Sequence, residues 1–285
     1  MARLERIFQA LTRAVCPILR RISDMRTGLQ EARCSVQQPG AVQTLHRSHS
    51  DISSICVGDI QYCDSNMQYA GKQLFADGSM PTVQSAIAFA QELHLGTKQT
   101  EHTTCAALLE HATAILKQKP NVQTIEPKPF HDIVIVGDLH GGFGDLIAIF
   151  ELNGWPSRKV TYVFNGDFVD RGPQGVEILL VLMAFVIALP DGVLLNRGNH
   201  EDELICKSYS FQEECCEKQG EQVFNGFCEF FTALPLAVLV KDYCFVVHGG
   251  LSRLPATELE DIQAIERGFY ATTQARLRPT TNQLP

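Results

Sequence analysis

No stretch of this sequence carries the roughly 18 to 20 uninterrupted apolar residues of a membrane-spanning helix. The longest apolar run, Ile178 to Leu189, has the length of a short buried helix. Positive charge is also scarce: 24 Lys and Arg face 32 Asp and Glu, a formal net charge of −8. A nucleic-acid backbone demands clustered cations, so nucleic acid is not expected as the main partner. Ten cysteines are present but none forms a C-x-x-C pair. That scatter excludes a disulfide framework or zinc finger and reads as reduced thiols of a cytoplasmic protein, with nuclear and mitochondrial locations left open. Internal repeats are absent too, which removes solenoid and propeller architectures. What is there is a chain of 285 residues, 45% hydrophobic, able to bury a substantial core in one large domain or two ordinary ones.

Residues 1–34 form a basic N-terminal segment. Leu4, Ile7, Phe8, Leu11, Val15, Ile18 and Leu19 keep a helical spacing that Pro17 interrupts. Three readings stay open: a plain amphipathic surface helix, a mitochondrial-type transit segment, or a basic helix that binds a partner. Phe8-Gln9 followed by Arg13 is similar to the start of a calmodulin-binding IQ motif, although Ile18 stands where its second basic residue belongs. A calmodulin-like partner is therefore one form of the third reading. Residues 35–81, opening with the Ser- and Gln-rich SVQQPGAVQTLHRSHSDISSIC, are expected to be a disordered polar linker. Residues 82–270 read as a folded domain and residues 271–285 as a polar tail.

Within that domain Val83, Ile87, Ala90 and Leu93 predict a helix from Thr82 to Leu95, closed by Gly96. A second helix starts at Thr103 or Thr104 and runs to Pro120. From Asp132 onward short β-branched runs alternate with helical stretches, the pattern of βαβ units around a largely parallel sheet. Strands are predicted at Ile133–Val136, Val160–Phe164, Val193–Asn196, Ala237–Val240 and Cys244–Val247, with helices at about 144–153 and at Val176–Leu189.

Four of these strands run into segments rich in metal-ligand residue types: Gly137-Asp138-Leu139-His140-Gly141, Gly166-Asp167-Phe168-Val169-Asp170-Arg171-Gly172, Arg197-Gly198-Asn199-His200-Glu201-Asp202 and Val247-His248-Gly249-Gly250. The carboxyl ends of sheet strands are where such folds place their sites. A pair of ions bridged by one carboxylate needs hard oxygen and imidazole ligands in a compact array on rigid elements. One Asp-x-His or Asn-His pair alone is more often a turn or a helix start, whereas four blocks in this order point to a metal centre. Several neighbours take plainer readings. Asp145 is a first-turn helix carboxylate, Glu201 and Asp202 support the site or start a helix, His131 is a surface residue, and Cys215-Cys216 lie in a buried helix. Gly58-Asp59 lacks a following His and is set aside.

GDLHGG, FNGDFVDRG, LNRGNHED, SYSFQEEC and LPLAVLVKDYCFVVHGGLS resemble the phosphoprotein phosphatase family within the calcineurin-like metallophosphoesterases. With the preceding ALLEHATAILKQKPNV, they are most similar to the branch carrying EF-hands, the retinal degeneration C type. The likeness covers about residues 82–270 and is strongest from 132 to 252. It implies an α/β fold, a metallophosphoesterase β-sandwich flanked by helices. It also implies metal-dependent hydrolysis of phosphoserine and phosphothreonine in proteins by a water that two ions activate. Asp138, His140 and Asp167 would bind the first ion and Asp167, Asn199 and His248 the second, the ions being manganese, iron or zinc. His200 would act as general acid with Asp170 orienting it, and Arg171 and Asn199 would hold the substrate phosphate.

The sequence departs from the family after Leu251-Ser252. It contains no Leu-Trp-Ser-Asp segment, no second phosphate-clamping Arg, no Arg-Ser/Ala-His segment and no D-x-D-x-D-G calcium loop. Gly142 also stands where the family carries Gln. The resemblance therefore implies a catalytic domain without its C-terminal part, in which the second ion has one imidazole fewer. Two other functions follow as alternatives: an inactive homologue that binds or regulates, and a metallophosphoesterase acting on nucleotides or diesters.

Overall fold

The computed structural model describes residues 34–37, 69–71, 73–96, 99–252, 254 and 256–268. The expectations for residues 1–33, 38–68 and 271–285 lie outside the described residues. In chain order the elements are strands β1 (Cys34–Gln37) and β2 (Tyr69–Ala70), helix α1 (Val83–His94), strand β3 (Gln99–Thr100), helix α2 (His102–Gln118), and strands β4 (Val122–Ile125) and β5 (Asp132–Val136). Next come α3 (Phe143–Asn153), β6 (Val160–Phe164), α4 (Gly175–Ala188), β7 (Val193–Leu195) and the short α5 (Glu203–Ser208). The last are α6 (Phe211–Gln219), α7 (Glu221–Ala233), β8 (Ala237–Val240), β9 (Cys244–Val247) and α8 (Leu259–Gln263).

Of three sheets among the described residues, one has the order β1-β5-β6-β7 and is parallel throughout, a second has the order β4-β8-β9, with β4 parallel and β9 antiparallel to β8, and the third is the short parallel pair β2-β3. Side chains on a strand alternate between faces, and here both faces of the first sheet are covered. Ile133 of β5, Val163 of β6 and Leu194 of β7 meet Val238, Val240 and Val246 of the second sheet in one apolar layer. Val134, Val136, Tyr162, Phe164, Val193 and Leu195 point the other way, into the larger core shared with the helices. The architecture is the expected α/β sandwich flanked by helices. Double coverage explains why β5 to β7 read as largely apolar runs, broken only by Asp132 and Thr161.

At the centre of the larger core lies α4, whose residues from Ile178 to Val186 are all buried. A helix apolar on every side must be enclosed, and α4 packs against α1, α2, α3, α6 and β7. Burying each of its Leu, Ile, Val and Phe side chains stabilises the fold by roughly 1.5–3 kcal/mol. Helix α1 starts from a Thr82–Ser85 capping box, in which each side chain accepts from the other's backbone N–H. The stretch expected to be a linker enters this core before residue 82. Ala70 and Leu74 are buried in the same cluster as Phe89 and Ala90, because Leu74 supplies apolar area that only the core can cover.

Candidate dinuclear metal site

The register of β5, β6 and β7 places Val136, Phe164 and Leu195 side by side, so the loops that follow emerge together at one edge of the sheet. These loops approach so closely that only glycine fits at key positions. A side-chain carbon on Gly198 would lie 2.3 Å from Asp167 Oδ1, and one on Gly166, itself at φ +88°, would lie 2.4 Å from the Gly198 nitrogen. Among the described residues six non-glycine residues have a left-handed backbone, and four of them are His140, Asp167, Asp170 and Arg171. Such conformations cost about 1–3 kcal/mol each and persist where the surroundings over-determine them.

Asp167 sits at the middle. Its Oδ2 is 3.6 Å from His140 Nε2 and its Oδ1 is 3.3 Å from His248 Nε2, one carboxylate oxygen to each ring. Asp138 Oδ2 lies 3.8 Å from His140 Nε2, and Asn199 Oδ1 lies 3.0 Å from His248 Nε2. Asp138, Asp167 and His248 bring ligand atoms within 4.8 Å of one another, as do His140, Asp167 and His200. Both histidines expected as ligands are oriented by backbone carbonyls. His140 Nδ1 donates to Val169 O at 2.8 Å and His248 Nδ1 to Asn165 O at 2.7 Å, which assigns their protons to Nδ1 and leaves Nε2 facing the centre.

The donor set fits metal cations. His140 Nε2 is buried with no hydrogen-bond partner, while His248 Nε2 faces two oxygen acceptors. The hydrogen bond to Asp167 outweighs burial and raises His248 to about 9. Burial alone would push Asp167 up. The hydrogen bonds from His248 and the His200 N–H outweigh it and hold the carboxyl below its ordinary value.

His200 and Asp170 form a separate buried pair beside this centre. Nδ1 of His200 is 2.7 Å from Asp170 Oδ2, while Asp170 Oδ1 accepts from the N–H groups of Ser210 (3.1 Å) and Phe211 (2.8 Å). The His200 ring stands edge-on to His140, with centroids 4.7 Å apart, and Tyr209 lies against it at 4.8 Å. Arg171 is exposed, and its guanidinium makes no ion pair among the described residues. The structure therefore brings together Asp138, His140, Asp167, Asp170, Asn199, His200 and His248, with Arg171 at the rim.

Supporting residues complete the site. Glu201, fully buried, accepts from the N–H groups of Asp167 (2.7 Å), Phe168 (2.8 Å) and Gly198 (2.8 Å), fastening the loop after β6 to the loop after β7. Burial first, and the Asp167 charge second, push its carboxyl up to about 7 against the pull of those three donors. Asp202 caps α5 by accepting from Leu204 N–H, and Asp145 lies in the first turn of α3. Asn165 and Asn196 carry roles that the sequence did not announce. Asn196 Nδ2 donates to Asn165 Oδ1 (2.9 Å) and to Val246 O (3.2 Å), tying the first sheet to β9 just before His248. Their only signal in the sequence is a polar residue directly after each strand.

Residues 131–279 match the family described as calcineurin-like phosphoesterase. Serine/threonine-protein phosphatase T of Aspergillus oryzae is 49% identical over 135 residues, which cover 47% of this chain and 28% of that protein. Serine/threonine-protein phosphatase rdgC of Drosophila melanogaster is 39% identical over 177 residues, 61% of this chain and 26% of that protein. Among solved structures, the Saccharomyces cerevisiae protein serine/threonine phosphatase with similarity to a human phosphatase is 37% identical, with a TM-score of 0.63 over 65% of this chain and 59% of that one. The chain thus spans about a quarter to a third of the length of the curated relatives it matches.

Proposed function

The chain belongs to the calcineurin-like phosphoesterase family, and from that premise we propose that its site hydrolyses phosphoserine and phosphothreonine esters in proteins. The observation that carries this reading is the Asp167 carboxylate, set between His140 and His248 with one oxygen towards each. Asp138, His140 and Asp167 would hold one ion, and Asp167, Asn199 and His248 the second. Manganese, iron or zinc ions there would supply Lewis-acid stabilisation of phosphoryl charge and acidify water.

The chain's own groups do the rest. Arg171, at the rim and without an ion pair among the described residues, takes two phosphate oxygens in its planar fork, with the Asn199 amide beside it. His200 gives its Nε2 proton to the departing Ser or Thr oxygen, while Asp170 fixes Nδ1 and stabilises the charged ring between turnovers. The loop glycines keep side chains out of the space the phosphate must enter. No helix among the described residues is long and apolar enough to cross a membrane. Cysteines scattered without a C-x-x-C pair support a reducing, cytoplasmic setting.

The test is metal analysis beside turnover. Purified protein supplied with manganese is expected to hold about two ions and His248→Ala about one, since each loses or keeps a whole imidazole ligand. Phosphate release from a phosphoserine peptide should exceed release from a phosphodiester. A chain that binds no metal and releases no phosphate would be a binding or regulatory homologue, and one that favours the diester would belong with the wider metallophosphoesterases; either outcome overturns the proposal.

A further inference from the structure

Remote from the site, at the amino ends of β6 and β7, lies a cavity of about 480 Å³. Gln123, Ile125, Thr161 and Leu194 line it, with Lys119 and Asp191 at one side and Glu126, Lys128 and His131 at the other. The metal ligands leave the carboxyl ends of the same sheet, so the length of a five-residue strand, roughly 16 Å, separates the two places. The volume is that of a small-molecule site.

Gln123 sets the chemistry. It is 5% exposed, it lines the cavity, and its side-chain Nε2 is buried with no hydrogen-bond partner. An amide donor left in that state is destabilising, and an occupant carrying an acceptor relieves it. The charges around it are unequal. Asp191 is paired with Lys119 at 2.6 Å and Glu126 with Lys241 at 2.9 Å, so both carboxylates of the lining are already neutralised. Lys128 has no ion-pair partner among the described residues, and its field reaches Glu126, whose carboxyl is held low first by the Lys241 hydrogen bond. His131, read from the sequence as a surface residue, is half-buried here, with Nε2 2.7 Å from Thr161 Oγ1. Ile125 and Leu194 add apolar wall.

We propose that this cavity binds a small organic anion, its acidic head received by the Gln123 amide and Lys128 and its apolar body laid against Ile125 and Leu194. The site is independent of the phosphoesterase reading, because no residue of the metal centre lines it. Benzoate, benzamide and benzylammonium share one ring and differ in charge, and none is a phosphate ester. Titrated into the full chain labelled with nitrogen-15, benzoate should shift the Gln123 side-chain amide and the Thr161 and Leu194 backbone amides saturably. Benzamide should do so more weakly, and benzylammonium not at all. Lys128→Ala should weaken benzoate by about tenfold, the loss of one charge-assisted hydrogen bond. Gln123→Leu, which replaces the unpaired amide with an apolar group of similar size, should abolish the shifts at Thr161 and Leu194 while the protein stays at least as resistant to denaturant. Equal responses to all three probes, shifts confined to the metal-site loops, or unchanged benzoate binding in Lys128→Ala would each overturn the proposal.

Discussion

Asp170 faces two ways. One oxygen fixes His200 Nδ1 and the other accepts the Ser210 and Phe211 N–H groups that begin α6. Asp170→Asn keeps the size but puts an NH₂ against either the ring N–H or the backbone donors. Turnover on a phosphopeptide is therefore expected to fall about 10²- to 10⁴-fold, the usual worth of a positioned acid, with KM little changed. Steady-state kinetics beside a thermal melt decide it, and a folded variant with wild-type kcat would remove the pair from the chemistry. His200 and Asp170 stand in glycine-flanked loops after strands, and it was the resemblance to the phosphoprotein phosphatases that implied their roles as acid and orienting carboxylate. Glu201 was legible only as one of two readings, a residue that supports the site or starts a helix, and the three converging N–H groups decide for the first. Asn165 and Asn196 escaped for a related reason: their bonds join segments far apart in sequence, including Asn196 to Val246.

Helix α2 ends in an arrangement that can be tested as a unit. Arg267 Nη2 donates to the carbonyl oxygens of Leu116 (3.2 Å) and Lys119 (2.6 Å), a cation on the negative end of the helix. Asn121 Nδ2 reaches the carbonyls of Ile262 (3.1 Å), Gln263 (3.0 Å) and Ile265 (2.6 Å), so β4 and α8 are held at the same place. Arg267→Ala is expected to lower unfolding free energy by about 1–2 kcal/mol, read as a lower denaturant midpoint at unchanged slope. No shift in midpoint would mean that the contact is solvated in solution. At this scale the sequence was generous where periodicity was clean: α1, α2, β6, β8 and β9 lie where the apolar spacing puts them, within a residue or two. Strand β4 was missed because its most buried residue is Gln123, so the inward position that should announce a strand carries an amide. Strand β1, which pairs with β5 from Cys34 to Gln37, was missed because SVQ opens a stretch with no sustained period.

For the molecule as a whole, the core holds thiols as well as hydrocarbon. Burial pushes Cys105 up to about 12 and Cys228 up to about 11, from an ordinary value of 9.0, and raises Cys206 and Cys215 further. Native thiols thus keep protons that the unfolded chain has already lost. The stability they contribute is intact below pH 9, declines above it, and is gone once pH passes the native values. At pH 10 Cys105 alone is expected to cost about 1 kcal/mol relative to pH 8. Denaturant midpoints at the two pH values measure this, with Cys105→Ala as control. If the control falls by the full amount as well, the alkaline loss arises elsewhere.

The four left-handed residues in the site loops, His140, Asp167, Asp170 and Arg171, bear on how such a protein changes under selection. Each is a place where glycine would suit the backbone better than the residue present, so a search for hardier variants that ignores catalysis would be drawn to these positions first. On the proposed function, the same substitutions would strip out a ligand, the bridging carboxylate, the acid's partner and the phosphate fork. A screen ranked on heat tolerance alone would therefore trace the outline of the reaction centre by what it chose to discard.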